Sequence, residues 1–364
     1  MSIAITQKIT GYQVKKPGES NANDGFIKDD ERRLVLPEQT QPLEMRWVKR
    51  PTSHEGNDAK TYMIESPTHR FGVVVGHVPN GSPATGYPFE CWVLGEAPRG
   101  LSAVCKSLSM DMRTNDRAWL QRKLEALFNV EGVPFDFTMP DARVIRVESE
   151  VAAFAHLVHY RCTELGAFDD EKLTSTPYMD ARICKKEPKA GPEGTMALNV
   201  SVKNVSTGDD FEMFVKQGRL PNGQIRPVSV WFSGGYAKAL DALAKSLSLD
   251  FQIADVRHAY RKLHQLLDVD EPRGDFLAQV PGSEKQRSYP STVAYIADIL
   301  LHHFRVLGLF DGIEFDDKVV TLVPVKQSTA GEPKGLLCEG CQTYSARLEA
   351  GCLVCHECGF SRCS

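Results

Sequence analysis

The chain has 364 residues, 42% of them hydrophobic and 25% charged, a globular balance that excludes wholesale disorder. Lys and Arg number 43 against 47 Asp and Glu, and the formal net charge of -4 argues against a strongly basic nucleic-acid binder. No apolar run is long enough to span a bilayer, and the opening residues 1–8 lack the apolar stretch of a signal peptide. The expectation is a cytoplasmic protein without a membrane partner.

Residues 1–50 read as an extended lead-in, in which Pro17 to Arg33 is charged and poor in apolar residues. From residue 51 the chain repeats itself. Lys106-Ser-Leu-Ser-Met-Asp111 returns as Lys245-Ser-Leu-Ser-Leu-Asp250, an offset of 139 that also carries Arg122-Lys-Leu124 onto Arg261-Lys-Leu263 and Trp92 onto Trp231. Further on the offset becomes 142, and Leu165-Gly-Ala-Phe-Asp169 meets Leu307-Gly-Leu-Phe-Asp311. A self-match of this length marks a tandem repeat. The units are placed at 51–184 and 195–326.

Each copy opens with alternating apolar segments, Phe71 to Gly76 and Phe89 to Leu94 in the first, Phe211 to Val215 and Val228 to Phe232 in the second. Pro-Asn-Gly turns at Pro79 and Pro221 mark hairpins. Helical spacing follows: Ala239, Leu240, Leu243 and Leu247 share one face. A closing helix is predicted from Thr292 to Leu307 with Gly308 as its stop. Hairpins packed on helices predict an α+β fold, two hairpin-plus-helices domains in tandem followed by a small zinc ribbon. The Pro/Gly-rich stretches Lys185 to Gly194 and Gln327 to Gly335 read as tethers, the second leaving the end of the chain on a flexible arm.

Six of the 10 cysteines fall in the last 27 residues, within a terminal unit placed at 336–364. Cys338-Glu-Gly-Cys341 and Cys352-Leu-Val-Cys355-His-Glu-Cys358 have the spacing of a zinc ribbon, in which two tight bends each aim two thiolates at one ion. Too few apolar residues surround them for an independent core, whereas zinc can supply about 10–16 kcal/mol. One ligand set is Cys338, Cys341, Cys355 and Cys358, with Gly359 suiting the turn beyond Cys358 and Cys352 and Cys363 left over. The other uses Cys338, Cys341, Cys352 and Cys355, and leaves Cys358 with Cys363 as a dithiol. Cys363 is spare in both, and an accessible thiol there can exchange with a disulfide elsewhere.

Other candidates carry less. Cys162-Thr-Glu164 lies on a helical stripe and reads as a core cysteine. His156, His159, His302 and His303 do not correspond between the copies and read as helix-surface residues. Asp255-Val-Arg-His258 has no equivalent in copy one. Ser233-Gly-Gly235 lacks the Lys-Ser/Thr sequel of a phosphate loop. Trp92 and Trp231 read as core strand residues.

The tail from Glu349 to Cys363 resembles the C-terminal ribbon of adenosylcobalamin-dependent (class II) ribonucleotide reductases. The stretches Phe89 to Gly95 with Leu101 to Ser109, and Val228 to Gly235 with Ala244 to Ser248, are similar to the TSCPD repeats before that ribbon, although neither holds the literal Thr-Ser-Cys-Pro-Asp string. Lys8 to Pro17 resembles the lead-in to the same region. The family's catalytic barrel has no counterpart here. The resemblance therefore implies the accessory chain of a split enzyme, inactive alone, with adenosylcobalamin bound only on a catalytic partner chain. It further implies that the terminal cysteines re-reduce the partner's active-site disulfide, that thioredoxin or glutaredoxin reloads them, and that Cys358 and Cys363 match the family's usual redox spacing. The alternative is a zinc-ribbon module that binds protein or nucleic acid without redox chemistry. Nucleic acid is the weaker option, because 338–364 hold only Arg347 and Arg362 against Glu339, Glu349 and Glu357.

Overall fold

The computed structural model describes residues 29–38, 43, 45–47, 49–52, 54, 56–79, 86–168, 176–311, 338, 346–349, 352–355 and 358–363. Pro17 to Lys28, Asn80 and Gly81, and the stretch Gln327 to Gly335 lie outside them. The fold is mixed α and β, with seven helices and small antiparallel sheets among the described residues. None of these helices is long and apolar enough to cross a membrane.

One order of elements occurs twice. In the first half, strands β1 (Asp58–Glu65), β2 (Arg70–Pro79) and β3 (Gly86–Gly95) form an antiparallel meander. Helices α1 (Leu101–Met112) and α2 (Arg117–Leu127) follow, then the hairpin β4 (Phe135–Thr138) and β5 (Val144–Val147), then α3 (Glu150–Glu164). After the single turn α4 (Pro177–Asp180) the second half runs β6 (Ala197–Asn204), β7 (Asp209–Arg219), β8 (Ile225–Gly235), α5 (Ala239–Phe251), α6 (Val256–Leu267), β9 (Phe276–Gln279), β10 (Gln286–Tyr289) and α7 (Thr292–Val306). The closing helix thus ends within a residue of the predicted Leu307, and Gly308 follows at φ +67°.

Local chemistry is duplicated along with the order. Both meanders carry a register shift at the same place, after Gly76 in β2 and after Lys216 in β7. Pro88 and Pro227 sit opposite the residue that follows, and a proline has no N–H for the ladder, so the pairing must slip there. Ser149 caps α3 by accepting from Ala152 N–H at 3.1 Å, and Ser291 caps α7 by accepting from Ala294 N–H at 3.0 Å. Ser109 Oγ accepts from Cys91 N–H of β3 at 3.0 Å, while Ser248 Oγ accepts from Val230 N–H of β8 at 2.9 Å. The second serine of the recurring Lys-Ser-Leu-Ser segment is therefore a clamp between helix and sheet.

Phe71, Val73 and Val75 of β2 and their counterparts Phe211, Met213 and Val215 of β7 feed one continuous apolar core that spans both halves. The halves meet through α1 and α5. Burial along α1 and α5 removes apolar area worth roughly 25 cal/mol per Å², but the seam between them also encloses charge. Lys123, Lys262, Asp111 and Asp250 all have fully buried side chains. Lys123 Nζ lies 2.5 Å from Asp250 and 3.3 Å from Asp111, and Lys262 Nζ lies 2.5 Å from Asp111. Ser107 and Ser246, the first serines of the recurring segment, meet at 3.2 Å across the seam, and each lysine donates to the opposite serine at 3.1 Å. The longest self-match in the sequence is thus the contact surface between the two copies.

The segments before and between the copies play parallel roles. Asp116 caps α2, accepting from Trp119 N–H, and its other oxygen accepts from Tyr178 N–H at 2.7 Å. Asp255 caps α6, and its other oxygen accepts from Leu43 N–H at 3.4 Å. Met45 bridges Thr114 as Arg182 bridges Ile253.

Candidate thiol and metal site

The end of the chain forms a three-stranded antiparallel sheet of β11 (Ala346–Glu349), β12 (Cys352–Cys355) and β13 (Ser361–Cys363). A two-residue C-x-x-C spacing inside an extended strand would send its sulfurs to opposite faces, so ligands converge only where the chain bends. The bend comes after Cys355. Gly359 adopts φ +73°, a left-handed conformation that a side chain would strain. Its N–H donates to the Cys355 carbonyl at 3.0 Å, and Cys355 N–H donates to the Phe360 carbonyl at 2.7 Å.

This turn brings Cys358 back beside Cys355, with Cys338 completing the group. The three sulfurs lie within 4.8 Å of one another, and Cys338 and Cys358 are 3.5 Å apart. Sulfurs around one tetrahedral zinc at 2.3 Å are about 3.8 Å apart, so three corners of such a site are assembled. These thiols could hold a metal ion such as zinc. Cys341 lies outside the described residues. The backbone of Cys352 stands opposite that of Cys363 in the β12–β13 ladder.

Cys338 and Cys355 are buried, and Cys358 is half-buried, because the site is seated on the body. Both buried cysteines join Trp47, Val78 and Phe89 in one apolar cluster, with Tyr87 and Phe360 packed against it. The arm was expected to leave the ribbon free of the body; the described part is instead docked on the first meander. The physical reason is the apolar patch itself, since Trp47 is only 2% exposed with the ribbon in place. On the second meander the matching position is covered by the chain's own beginning, where Leu34 packs on Ile183, Cys184, Leu220 and Val228.

No family model, curated protein or solved structure matches this chain.

Cys91, Cys105, Cys162 and Cys184 are all buried. Burial pushes the Cys105 and Cys162 thiols well up and Cys184 to about 12, which keeps the nucleophilic thiolate out of reach. Cys162 is a core residue of α3, as its helical stripe predicts.

A second cluster of possible ligands, Asp111, Asp250 and His258, lies at the seam. Two ammonium groups already occupy the space a cation would take, so the cluster is an ion-pair network rather than a metal site. Burial disfavours the Asp250 carboxylate, but Lys123, Lys262 and His258 outweigh it and hold its pKa below the usual range. Burial pulls the Lys262 ammonium down to about 8 despite the two carboxylates. His258 Nε2 is 2.7 Å from Asp250, whereas the residue at its place in copy one, Trp119, donates from Nε1 to Asp111 at 3.1 Å. Tyr178 packs between them, with ring centroids 6.0 Å from Trp119 and 5.0 Å from His258. Asp255 and His258 are thus helix cap and network partner, and against expectation they have counterparts in copy one, Asp116 and Trp119.

The helix histidines form no ligand set. His156 stacks on Phe128 at 3.8 Å, His159 packs on Phe128 and Phe168, and burial lowers both imidazoles toward neutrality. His303 is buried rather than on the helix surface, 3.3 Å from Gln217. The strand tryptophans also differ from expectation. Trp231 is 42% exposed and stacks on Phe214, and Trp92 is half-buried on the wall of a cavity. Sequence reasoning missed the buried lysines altogether. Their signal was recurrence: Lys, Asp and Ser return together at one offset, which surface lysines have no reason to do.

Proposed function

We propose that this chain is the accessory, C-terminal subunit of a split adenosylcobalamin-dependent ribonucleotide reductase. In this reading 51–184 and 195–326 are TSCPD-like repeats that dock on the catalytic chain, and 336–364 is a zinc ribbon that re-reduces its active-site disulfide. The observation that carries it is the backbone register that sets Cys352 opposite Cys363, on the strand whose other end carries Cys355 of the three-thiol cluster. Residues directly opposite in an antiparallel ladder have Cα atoms about 4.5–5.5 Å apart, within the range a disulfide needs.

The division of labour follows. Cys338, Cys341, Cys355 and Cys358 hold zinc, which keeps Cys358 out of redox exchange. The Cys363 thiolate attacks the partner's disulfide, forms a mixed disulfide and releases one partner thiolate. The Cys352 thiolate then attacks Cys363 Sγ, closing a Cys352–Cys363 disulfide and releasing the second partner thiolate. Two electrons pass to the catalytic site, and a thioredoxin or glutaredoxin dithiol returns the pair to its reduced state. Neither the cobalamin nor the nucleotide substrate is held by this chain, so it has no reductase activity alone.

Cys363→Ser separates this function from others. With the catalytic partner present, the variant abolishes multiple turnover driven by thioredoxin but keeps turnover driven by a small dithiol that reaches the site directly. Full thioredoxin-driven turnover by the variant refutes the shuttle. The seat of the ribbon on Trp47 and Phe89 favours a second reading, a zinc-stapled module that fastens the chain's end and docks a protein partner without redox chemistry. In that case Cys363→Ser changes neither kind of turnover.

A further inference from the structure

The first copy carries a charged cavity. It lies between β3, α1 and α6, with a volume of about 450 Å³, and its wall includes Arg50, Glu90, Trp92, Lys106, Met110 and Arg113. Cavities of 300–1,000 Å³ suit small-molecule ligands. Three cations face one carboxylate on this wall. Glu90 is engaged by Arg50 at 2.6 Å, so the charges of Lys106 and Arg113 are left in excess.

Neither of those two cations is a fully solvated surface charge. Arg113 Nε donates to the Phe89 carbonyl at 3.2 Å, which fixes the guanidinium plane while burial lowers its pKa. Lys106 is likewise held down by burial, with Asp268 and Asp270 acting on it from beyond α6. A desolvated arginine beside a lysine strongly attracts a multiply charged oxyanion, and the planar fork can engage two oxygens at once. Trp92, half-buried on the same wall, adds an aromatic surface.

The internal comparison separates ligand binding from packing. At the matching positions copy two has Glu187 for Arg50, Ser229 for Glu90 and Gln252 for Arg113. Lys245 and Trp231 are retained but used for packing: Lys245 donates to the Asn129 carbonyl at 3.4 Å, and Trp231 stacks on Phe214 with centroids 5.4 Å apart. The same fold is therefore built without the arginines, and there Glu187 pairs with Lys216 at 3.1 Å. Their presence in copy one is not required by the architecture.

We propose that this cavity binds a nucleotide, its phosphates on Lys106 and Arg113 and its planar ring against Trp92 and Met110. The inference does not depend on the thiol chemistry of the ribbon. Calorimetric titration of the full chain with ATP, inorganic tripolyphosphate and adenosine tests it. ATP binds saturably and tripolyphosphate more weakly, adenosine gives no signal, and added salt weakens both anions. Arg113→Gln, which installs the side chain copy two carries there, and Lys106→Gln each weaken ATP by about tenfold. Lys106→Gln keeps the test sound should Arg113→Gln perturb folding. Absence of ATP binding at roughly millimolar concentration overturns the proposal, as does binding that neither variant changes. Equal affinity for tripolyphosphate and ATP removes the ring contact and with it the nucleotide assignment.

Discussion

Four side chains at the seam decide how firmly the two halves hold. Lys123, Lys262, Asp111 and Asp250 are each fully buried, and the shortest ion pair of each runs to the other copy. Removing one partner strands a buried charge, which costs about 3–5 kcal/mol. Lys262→Met is expected to lower the unfolding free energy by about that amount in a denaturant titration, and Lys262→Met with Asp111→Leu to lower it by less. The acid limb follows from the same residues. Because the native state holds the Asp250 pKa below its ordinary 3.8, the unfolded chain takes up a proton that the native chain refuses. Its contribution is present above that value and is lost as pH falls below it. Glu150, held down by Ser66, Thr68 and His69 against burial, acts in the same direction. The thermal midpoint should therefore drop between about pH 5 and pH 2, and Asp250→Asn should flatten that drop without abolishing it.

Elements are joined by contacts that the recurring sequence encodes. Gly100 precedes α1 at φ +88°, and a Cβ there would lie 2.9 Å from Leu240 of α5. Gly100→Ala is expected to destabilise by about 1 kcal/mol or more, read from the shift of the denaturation midpoint, since both backbone and contact oppose it. Much of this was legible beforehand. Apolar spacing placed the face of α5, Gly308 placed the end of α7, and the tail cysteines marked the group of Cys338, Cys355 and Cys358. The rest was hidden for physical reasons. A lysine on an apolar helix face reads as solvated until the second copy arrives to neutralise it. The lead-in around Leu43 and Trp47 carries no periodicity, and its place is set by the Asp255 cap and the seat of the ribbon. The tryptophans were misplaced because strand alternation does not say which face a neighbouring aromatic, such as Phe214, has left open.

The whole molecule is an internal pseudo-dimer whose equivalent outer sites are covered differently, one by residues near Leu34 and the other by the thiol site. If zinc holds the ribbon's shape, it also holds the ribbon on its seat. Chelation should release it and expose Trp47, shifting tryptophan emission to the red; the shift should be missing in Trp47→Phe, while the body keeps its helical signal. An unchanged emission spectrum after complete zinc removal would show that the seat does not depend on metal. The account as a whole depends on metal thiols and exchange thiols being different residues. Disulfide mapping of the mildly oxidised full chain, with zinc counted in the same sample, tests this most directly. The expected result is one zinc retained per chain and a single new Cys352–Cys363 link; a link through Cys358, or loss of zinc on oxidation, would contradict it.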